Sequence, residues 1–412
     1  MKRRGIHIVL IVLLLGPLPV ASEEAIVPLH LLIAEIKNHP EIEALRLSAE
    51  AAKEEIAQTQ FLEDPQFSIT QWGIPSNLNI GRAEETWFGI AQMFPFPGKL
   101  RLRSQLATSD WAAHQQDNRA RRLALISEVK SAYYQLSLSQ EKIRFHQKHQ
   151  TLLEESIHIA KKRYAVGQGS QQDILKAEME RSGIHNELIA LENERSILWA
   201  KMNTLINRSI ETPLGKVEAL TLRPFPLTYN ALIEAALRAQ PELQGAALMV
   251  ERSQLATALT QKEADPDFMV EVQYWDVQGD ENRWMVGGKM NLPFVFKEKY
   301  AGKNRKAAVE AQEAAARYTA RKNETLLEVK SLFTTIQTTA QQLARYPSDL
   351  IPLANQSVQV AQIAYQAGTG DLLTLIEDIQ LLLDIQIAYY EKLAMFWEQI
   401  AKLEPLIGEE IP

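Results

Sequence analysis

Cysteine is absent from the 412 residues. That excludes disulfide staples and thiolate metal centres, and it leaves no cysteine to carry the lipid of a lipoprotein. Basic residues are in deficit, 44 Lys and Arg against 51 Asp and Glu for a net charge of −7, and no basic stripe compensates. A nucleic-acid partner is therefore not expected. Beyond the N-terminus no stretch approaches eighteen consecutive apolar residues, so no membrane-spanning helix is expected in the mature chain. If the chain crosses a membrane, it does so within a closed barrel. GxSxG, Walker A and HExxH patterns are missing, and neither an enzyme nor a cofactor is expected. Proline and glycine, finally, are missing from Lys99 to Tyr164. Nothing interrupts a helix there, and such a helix is roughly 100 Å long, too long for one compact core to cover.

What is present begins with an address. Lys2, Arg3 and Arg4 precede an apolar run from Ile6 to Leu15, and Val20-Ala21-Ser22 offers small residues for cleavage. Residues 1–22 therefore read as a cleaved secretory signal peptide. The rest of the chain says nearly everything twice. His39-Pro40-Glu41-Ile42 returns as Gln240-Pro241-Glu242-Leu243, and Asp64-Pro65-Gln66-Phe67 as Asp265-Pro266-Asp267-Phe268, both 201 residues on. Phe94-Pro95-Phe96 returns as Leu292-Pro293-Phe294 and Glu128-Val129-Lys130-Ser131 recurs unchanged as Glu328-Val329-Lys330-Ser331, at offsets of 198 and 200. Tyr164-Ala165-Val166-Gly167 returns as Tyr365-Gln366-Ala367-Gly368, again 201 on. A period this long duplicates a whole structural unit rather than a solenoid repeat.

The first unit is assigned to residues 23–206 and the second to 229–412, with 207–228 as a proline-containing linker. In each, a helix starting at Pro40 or Pro241 gives way to a β-hairpin, at 66–92 and 268–291. The first of these helices is expected to reach about Leu62, and the strands to run seven or eight residues. A long helix follows, then a glycine reversal (Gly167 and Gly169; Gly368 and Gly370) and a return helix. Ile184, Leu188, Leu191, Leu198, Met202 and Leu205 alternate at 4-3 spacing, as do Leu375, Ile379, Leu382, Tyr389, Leu393, Phe396, Ile400 and Leu403. That 3.5-residue period predicts coiled-coil packing. The copies differ at Pro347 and Pro352, which predict a kink near Tyr346 in the second long helix only.

Four short strands cannot close a barrel, so either the hairpins are soluble or several chains pool them. Phe67, Trp72, Trp87, Phe88, Phe268, Tyr274, Trp275 and Trp284 near the strand ends are placed as an interfacial girdle would be, although any half-buried hairpin carries similar aromatics. His146, His149 and His158 share a helix but lack a third ligand at fixed spacing, and read as solvated rather than as a metal site.

In its order of elements, its N/Q-Pro-Glu helix starts, its D-P-x-F strand entries and its Tyr-x-x-Gly reversals, the chain resembles the TolC family of outer-membrane efflux and secretion ducts. The run from Gln92 to Lys99, with Pro95, Pro97 and Gly98 (Pro293 in the second copy), is similar to the strand-to-helix junction of the heavy-metal, cobalt-zinc-cadmium type branch serving resistance-nodulation-division pumps. The resemblance implies a mainly α fold with a small β part. Three chains would combine into a twelve-stranded outer-membrane β-barrel in lipid, continuous with a twelve-helix α-barrel in the periplasm. It further implies a passive exit duct that takes substrate from a periplasmic adaptor and inner-membrane pump, gated at the helix tips. Asp173, Tyr365 and Glu377 match tip positions of the family, and Asp371 flanks them. Thr374 stands where a second acid is usual, and Gly370 replaces the usual tip arginine. Acids in a first helical turn also suit the macrodipole without any gating role. The alternatives are a protein-secretion or drug-export duct of the same architecture and a soluble periplasmic coiled-coil scaffold.

Overall fold

The computed structural model describes residues 26–76 and 78–411; the expected signal peptide lies outside them. The described residues begin with a two-residue strand β1 (Ile26–Val27), a short helix α1 (Leu29–Glu35) and a helix α2 (Pro40–Gln58). Strands β2 (Gln66–Trp72) and β3 (Glu85–Phe94) follow, then the long helix α3 (Lys99–Ala165) and the return helix α4 (Gln171–Leu205). A two-residue strand β4 (Lys216–Val217) and a helix α5 (Tyr229–Ala239) lead to the second pass. That pass comprises α6 (Pro241–Lys262), β5 (Phe268–Val277), β6 (Arg283–Met290), α7 (Lys297–Arg345), α8 (Ile351–Ala367) and α9 (Leu372–Ile407).

Helix α3 runs 67 residues without a break. Its counterpart is divided by a π-helical turn at Tyr346–Leu350, where Pro347 removes one ladder hydrogen bond and Pro352 follows just beyond. The expected kink thus takes the form of one widened turn between α7 and α8. Helix α2 stops at Gln58, earlier than expected, and Thr59 at its end donates its hydroxyl to the Ile56 carbonyl (2.8 Å).

The 207–228 segment is more ordered than a bare linker. Its β4 pairs in parallel with β1, and the Tyr133 hydroxyl clamps both strands, donating to the Val27 carbonyl (3.0 Å) and accepting from the Glu218 N–H (2.9 Å). Two apolar cores sit at this level, one under Leu125, Leu136 and Met202, the other under Ile336, Leu393 and Phe396. A third core lies toward the helix tips and joins Leu153 and Ile157 of α3 to Val358, Tyr365, Leu372 and Ile379 of α8 and α9. The 4-3 positions Ile184, Leu191, Leu375, Ile379, Leu393, Phe396 and Leu403 are buried, as coiled-coil packing requires.

The hairpins form one antiparallel sheet in the order β2-β3-β5-β6, and β2 and β6 are its edges. Strands β3 and β5 each have ten residues, longer than expected and enough for a tilted crossing of a bilayer. The register places Phe67, Ile90, Val272 and Val286 in one row and Ile69, Phe88, Tyr274 and Trp284 in the next. Both rows lie on one face, which is apolar and open: Phe67 is 65% exposed, Trp284 72% and Val286 75%. The opposite face carries Ser68, Thr70, Glu271, Gln273 and Lys289. The expected girdle is therefore incomplete, because strand parity divides its members. Trp72, Trp87 and Trp275 lie on the polar face, stacked in a ladder with ring centroids 6.1 Å and 4.6 Å apart. Only Phe67, Phe88, Phe268, Tyr274 and Trp284 belong to the apolar face.

Candidate functional site

Two regions gather the residues singled out in the sequence: the turn from strand to long helix, and the pair of helix tips at the far end. At the first turn, Gly98 adopts φ +97°, a left-handed conformation that glycine takes without strain, and α3 starts at the next residue. Pro97 is exposed and Pro95 half-buried. The Phe96 N–H donates to Asp267 Oδ1 (2.7 Å), and Lys99 Nζ donates to the same oxygen (2.8 Å) and to the Asp265 carbonyl (2.9 Å). Lys262 stands over the Phe96 ring, 5.1 Å from its centroid. The first junction is thereby bolted to the second copy's strand entry by a buried lysine. At the second junction Pro293 is buried, opening a 3-10 turn, while Phe294, Phe296 and Lys297 are exposed. Asp267 escaped the reading of the sequence, although its replacement of Gln66 between the copies was a visible signal.

At the first tip, Gly167 takes φ +76°, and the Gln168 N–H returns to the Arg163 carbonyl (2.9 Å). Ser170 then caps α4, accepting from the Gln172 N–H (3.0 Å). At the second, Gly368 takes φ +81° and the Thr369 N–H returns to the Ala364 carbonyl (3.0 Å). A Cβ on Gly169 would come 3.1 Å from the Tyr164 nitrogen, and one on Gly370 would come 3.0 Å from the Ala364 Cβ, so both second glycines serve close approach.

Asp371 caps α9, accepting from the Thr374 N–H (2.8 Å), and that bond holds its carboxyl below the ordinary value. Glu377 is exposed on the next turn. Asp173 lies in the first turn of α4, half-buried and close enough to Tyr365 for its charge to act on the phenol. Burial raises the Tyr365 phenol above its ordinary value, Arg163 opposes that shift, and Asp173 reinforces it. Gly370 brings no side chain to the second tip, but Arg163 of the first copy reaches it. Arg163 donates to the Tyr365 carbonyl and to the Gln168 carbonyl (3.2 Å), with its guanidinium 4.8 Å from the Tyr365 ring centroid. Asp173, Tyr365 and Arg163 thus meet between the tips, whereas Asp371 and Glu377 stand on α9 alone.

The histidines part company. His158 is exposed, but His149, expected to be solvated, is only 3% exposed and neither ring nitrogen has a partner. Burial, and secondarily His146, push it down to about 4. It stands on α3 one turn before Leu153, on the face packed against Leu382 and Gln386 of α9. Among the described residues, no group of three or more His, Cys, Asp or Glu is placed to hold a metal ion. Nor is any helix among them long and apolar enough to cross a membrane.

Comparison with known proteins agrees with this geometry. Residues 31–208 match the model of the outer membrane efflux protein family. The cobalt-zinc-cadmium resistance protein CzcC of Cupriavidus metallidurans is 22% identical over 290 residues, covering 68% of this chain and 67% of that one. The outer membrane protein VceC of Vibrio cholerae superposes with a TM-score of 0.78 at 17% identity, covering 93% of this chain and 97% of that one. CusC, whose crystal structures concern transmembrane channel formation, superposes with a TM-score of 0.80 at 14% identity over 94% of this chain and 93% of its own. Its first copy is thus similar in sequence to outer membrane efflux proteins, and nearly its whole length shares the fold of solved outer-membrane channels.

Proposed function

We propose that three copies of this chain form the outer-membrane exit duct of a tripartite efflux system. A periplasmic adaptor and an inner-membrane pump of the resistance-nodulation-division type feed it, and heavy-metal cations are its cargo. Each chain then contributes two repeat units, 23–206 and 229–412, joined through 207–228. The carrying observation is the sheet: four strands with two unpaired edges, β2 and β6, and an exposed apolar face. In lipid such edges must be paired, and a further copy supplies the pairing. Twelve strands leave a lumen, which the polar face lines. The metal reading draws on the Phe94-to-Lys99 junction and on the likeness to CzcC. The duct does no chemistry, and its gate lies at the tips, among Asp173, Tyr365, Asp371 and Glu377.

The duplication fixes the register of closure. In-chain, Gln92 of β3 pairs with Val270 of β5. Moved by the offsets of 198 and 201 residues, that pair becomes Met290 of one copy beside Ile69 of the next. A chain free of cysteine allows a clean test. Ile69→Cys with Met290→Cys, oxidised in outer membranes, should give covalent dimers and trimers, and the purified cross-linked trimer should conduct in planar bilayers as the wild type does. Monomers alone from the double variant, or a non-conducting wild type, would sink the reading.

A further inference from the structure

The two tips of one chain are not equivalent partners, and one side chain, Arg163, joins them. Arg163 leaves the end of α3 and crosses to the other copy's tip, where it binds the Tyr365 carbonyl and covers the Tyr365 ring. Its Nη2 also lies 3.5 Å from where a Cβ on Gly368 would stand. Tyr365 itself is 3% exposed and belongs to the core shared by α3, α4, α8 and α9. Shifted by 201 residues, the same contact would put residue 364 against Tyr164. Residue 364 is alanine, and Tyr164 is 48% exposed in the single chain. The contact is therefore built within a chain and cannot be repeated, by these residues, between one copy and the next.

We propose that Arg163 is a positioning residue that locks the two tips of each chain into one rigid pair, so that the closed end of the duct opens at the boundaries between copies. A guanidinium that stacks on an aromatic face while donating to two carbonyls is held in one geometry, which lysine cannot reproduce. The apolar core beneath the lock makes the pair move as a body. The boundaries between copies have only Ala364 against Tyr164 at this position and yield first. The lock is a property of one chain, whereas the site of opening rests on the trimeric duct proposed above.

The test separates the two. Spin labels on Gln168→Cys and Gln366→Cys, in trimers diluted with unlabelled subunits, report the distance between the tips of one chain. A narrow distribution is expected in the otherwise wild-type protein. Arg163→Ala should broaden it, Arg163→Lys should restore it only in part, and Ala364→Arg should leave it alone. A distribution as narrow in Arg163→Ala as in the parent overturns the lock, whether or not the protein conducts. In planar bilayers, Ala364→Arg supplies the boundary between copies with the missing side chain and should lower the open probability roughly fivefold, the scale of one such contact. An unchanged or higher open probability in Ala364→Arg, with the in-chain distance intact, refutes opening at the boundaries while leaving the lock standing. Absence of conductance from the wild type would instead refute the duct, and the in-chain distance would still decide the lock.

Discussion

The two copies of the unit carry nearly the same residues and bury them differently. Lys99 is buried on Asp267, but Lys297, its counterpart, is exposed. Lys130 is buried on Glu404, while Lys330 is exposed and rests on the Tyr229 ring, 4.5 Å from its centroid. Phe96 is half-buried under Lys262, whereas Phe294 is 58% exposed. In every pair the first copy's residue is covered by the second copy. The second copy's residue has no third unit in the chain to cover it. In the trimer proposed above, the faces left open on the second copy are where the next chain would sit.

The division into covered and open faces is most exposed to test at the Lys130–Glu404 pair. Both Glu404 oxygens accept from Lys130 Nζ at 2.7 Å, and Oε1 also accepts from the Ile411 N–H (2.9 Å). Burial pushes the Glu404 carboxyl above its ordinary value although Lys130 opposes it. Glu404→Leu would leave the buried ammonium only the more exposed Glu410 carboxylate, 3.7 Å away, at a cost of about 3 kcal/mol per chain. Lys130→Met with Glu404→Leu should recover most of that loss, because apolar groups of similar volume replace a costly desolvated pair. Lys330→Met, at the exposed counterpart, should cost about 1 kcal/mol or less. Denaturant melts at fixed protein concentration measure all three. Equal losses at Glu404 and Lys330 would show that the copies do not divide into covered and open faces.

A second test concerns His149, which the other copy does not repeat: 200 residues on stands Asp349, in the π-helical turn. His149 is neutral when folded, with its value depressed to about 4 against the ordinary 6.5. Above the ordinary value both states are neutral and the shift has no effect. As pH falls below it, the unfolded chain takes up a proton that the folded chain refuses. Stability is lost down to the folded value, by roughly 3 kcal/mol per chain in all. The groups facing this region are His146, Lys142, Glu187 and Asp384, whose charges bear on His146, with Lys148 and Gln386 beside His149 itself. His149→Leu should flatten the profile between pH 6.5 and 4, read by melting temperature against pH. A wild-type slope that survives in His149→Leu would assign the acid sensitivity to other groups.

Much of this arrangement was legible in the sequence, because it depends on local rules. A stretch without glycine or proline has nothing to stop α3, and paired Gly reversals end both long helices. Other features were written there but need parity to read. Phe67 and Ile69 alternate with Ser68 and Thr70, and Trp72 has the parity of the polar set, so its place in the polar-face ladder follows from the strand itself. His149 lies four residues from both Phe145 and Leu153, on the buried stripe of α3. The contacts that bind the copies together were not legible. Lys99 and Asp267 are 168 residues apart, and Arg163 and Tyr365 are 202 apart. Neither pairing follows from periodicity, only from how the two units pack.

The weakest of these differences between the copies sits at the caps, and it bears on the proposed gate. Ser170 begins α4 and Asp371 begins α9 at equivalent positions, 201 residues apart, and both cap their helix by accepting backbone N–H. A neutral hydroxyl suffices at the first tip, so the charge of Asp371 is not what starts the helix. Asp371→Ala should lower the melting temperature slightly through the lost cap, less than any change above. Asp371→Asn should leave it where it was, since asparagine caps as well as aspartate. Glu377 has no such commitment: it is exposed in the single chain, one turn further along α9. If the acids at the tip act through charge, Glu377→Gln should raise single-trimer conductance while Asp371→Asn leaves it as it was. A rise in Asp371→Asn equal to that in Asp371→Ala would place Asp371's charge in the gate, and the likeness between the two caps would then be one of geometry alone.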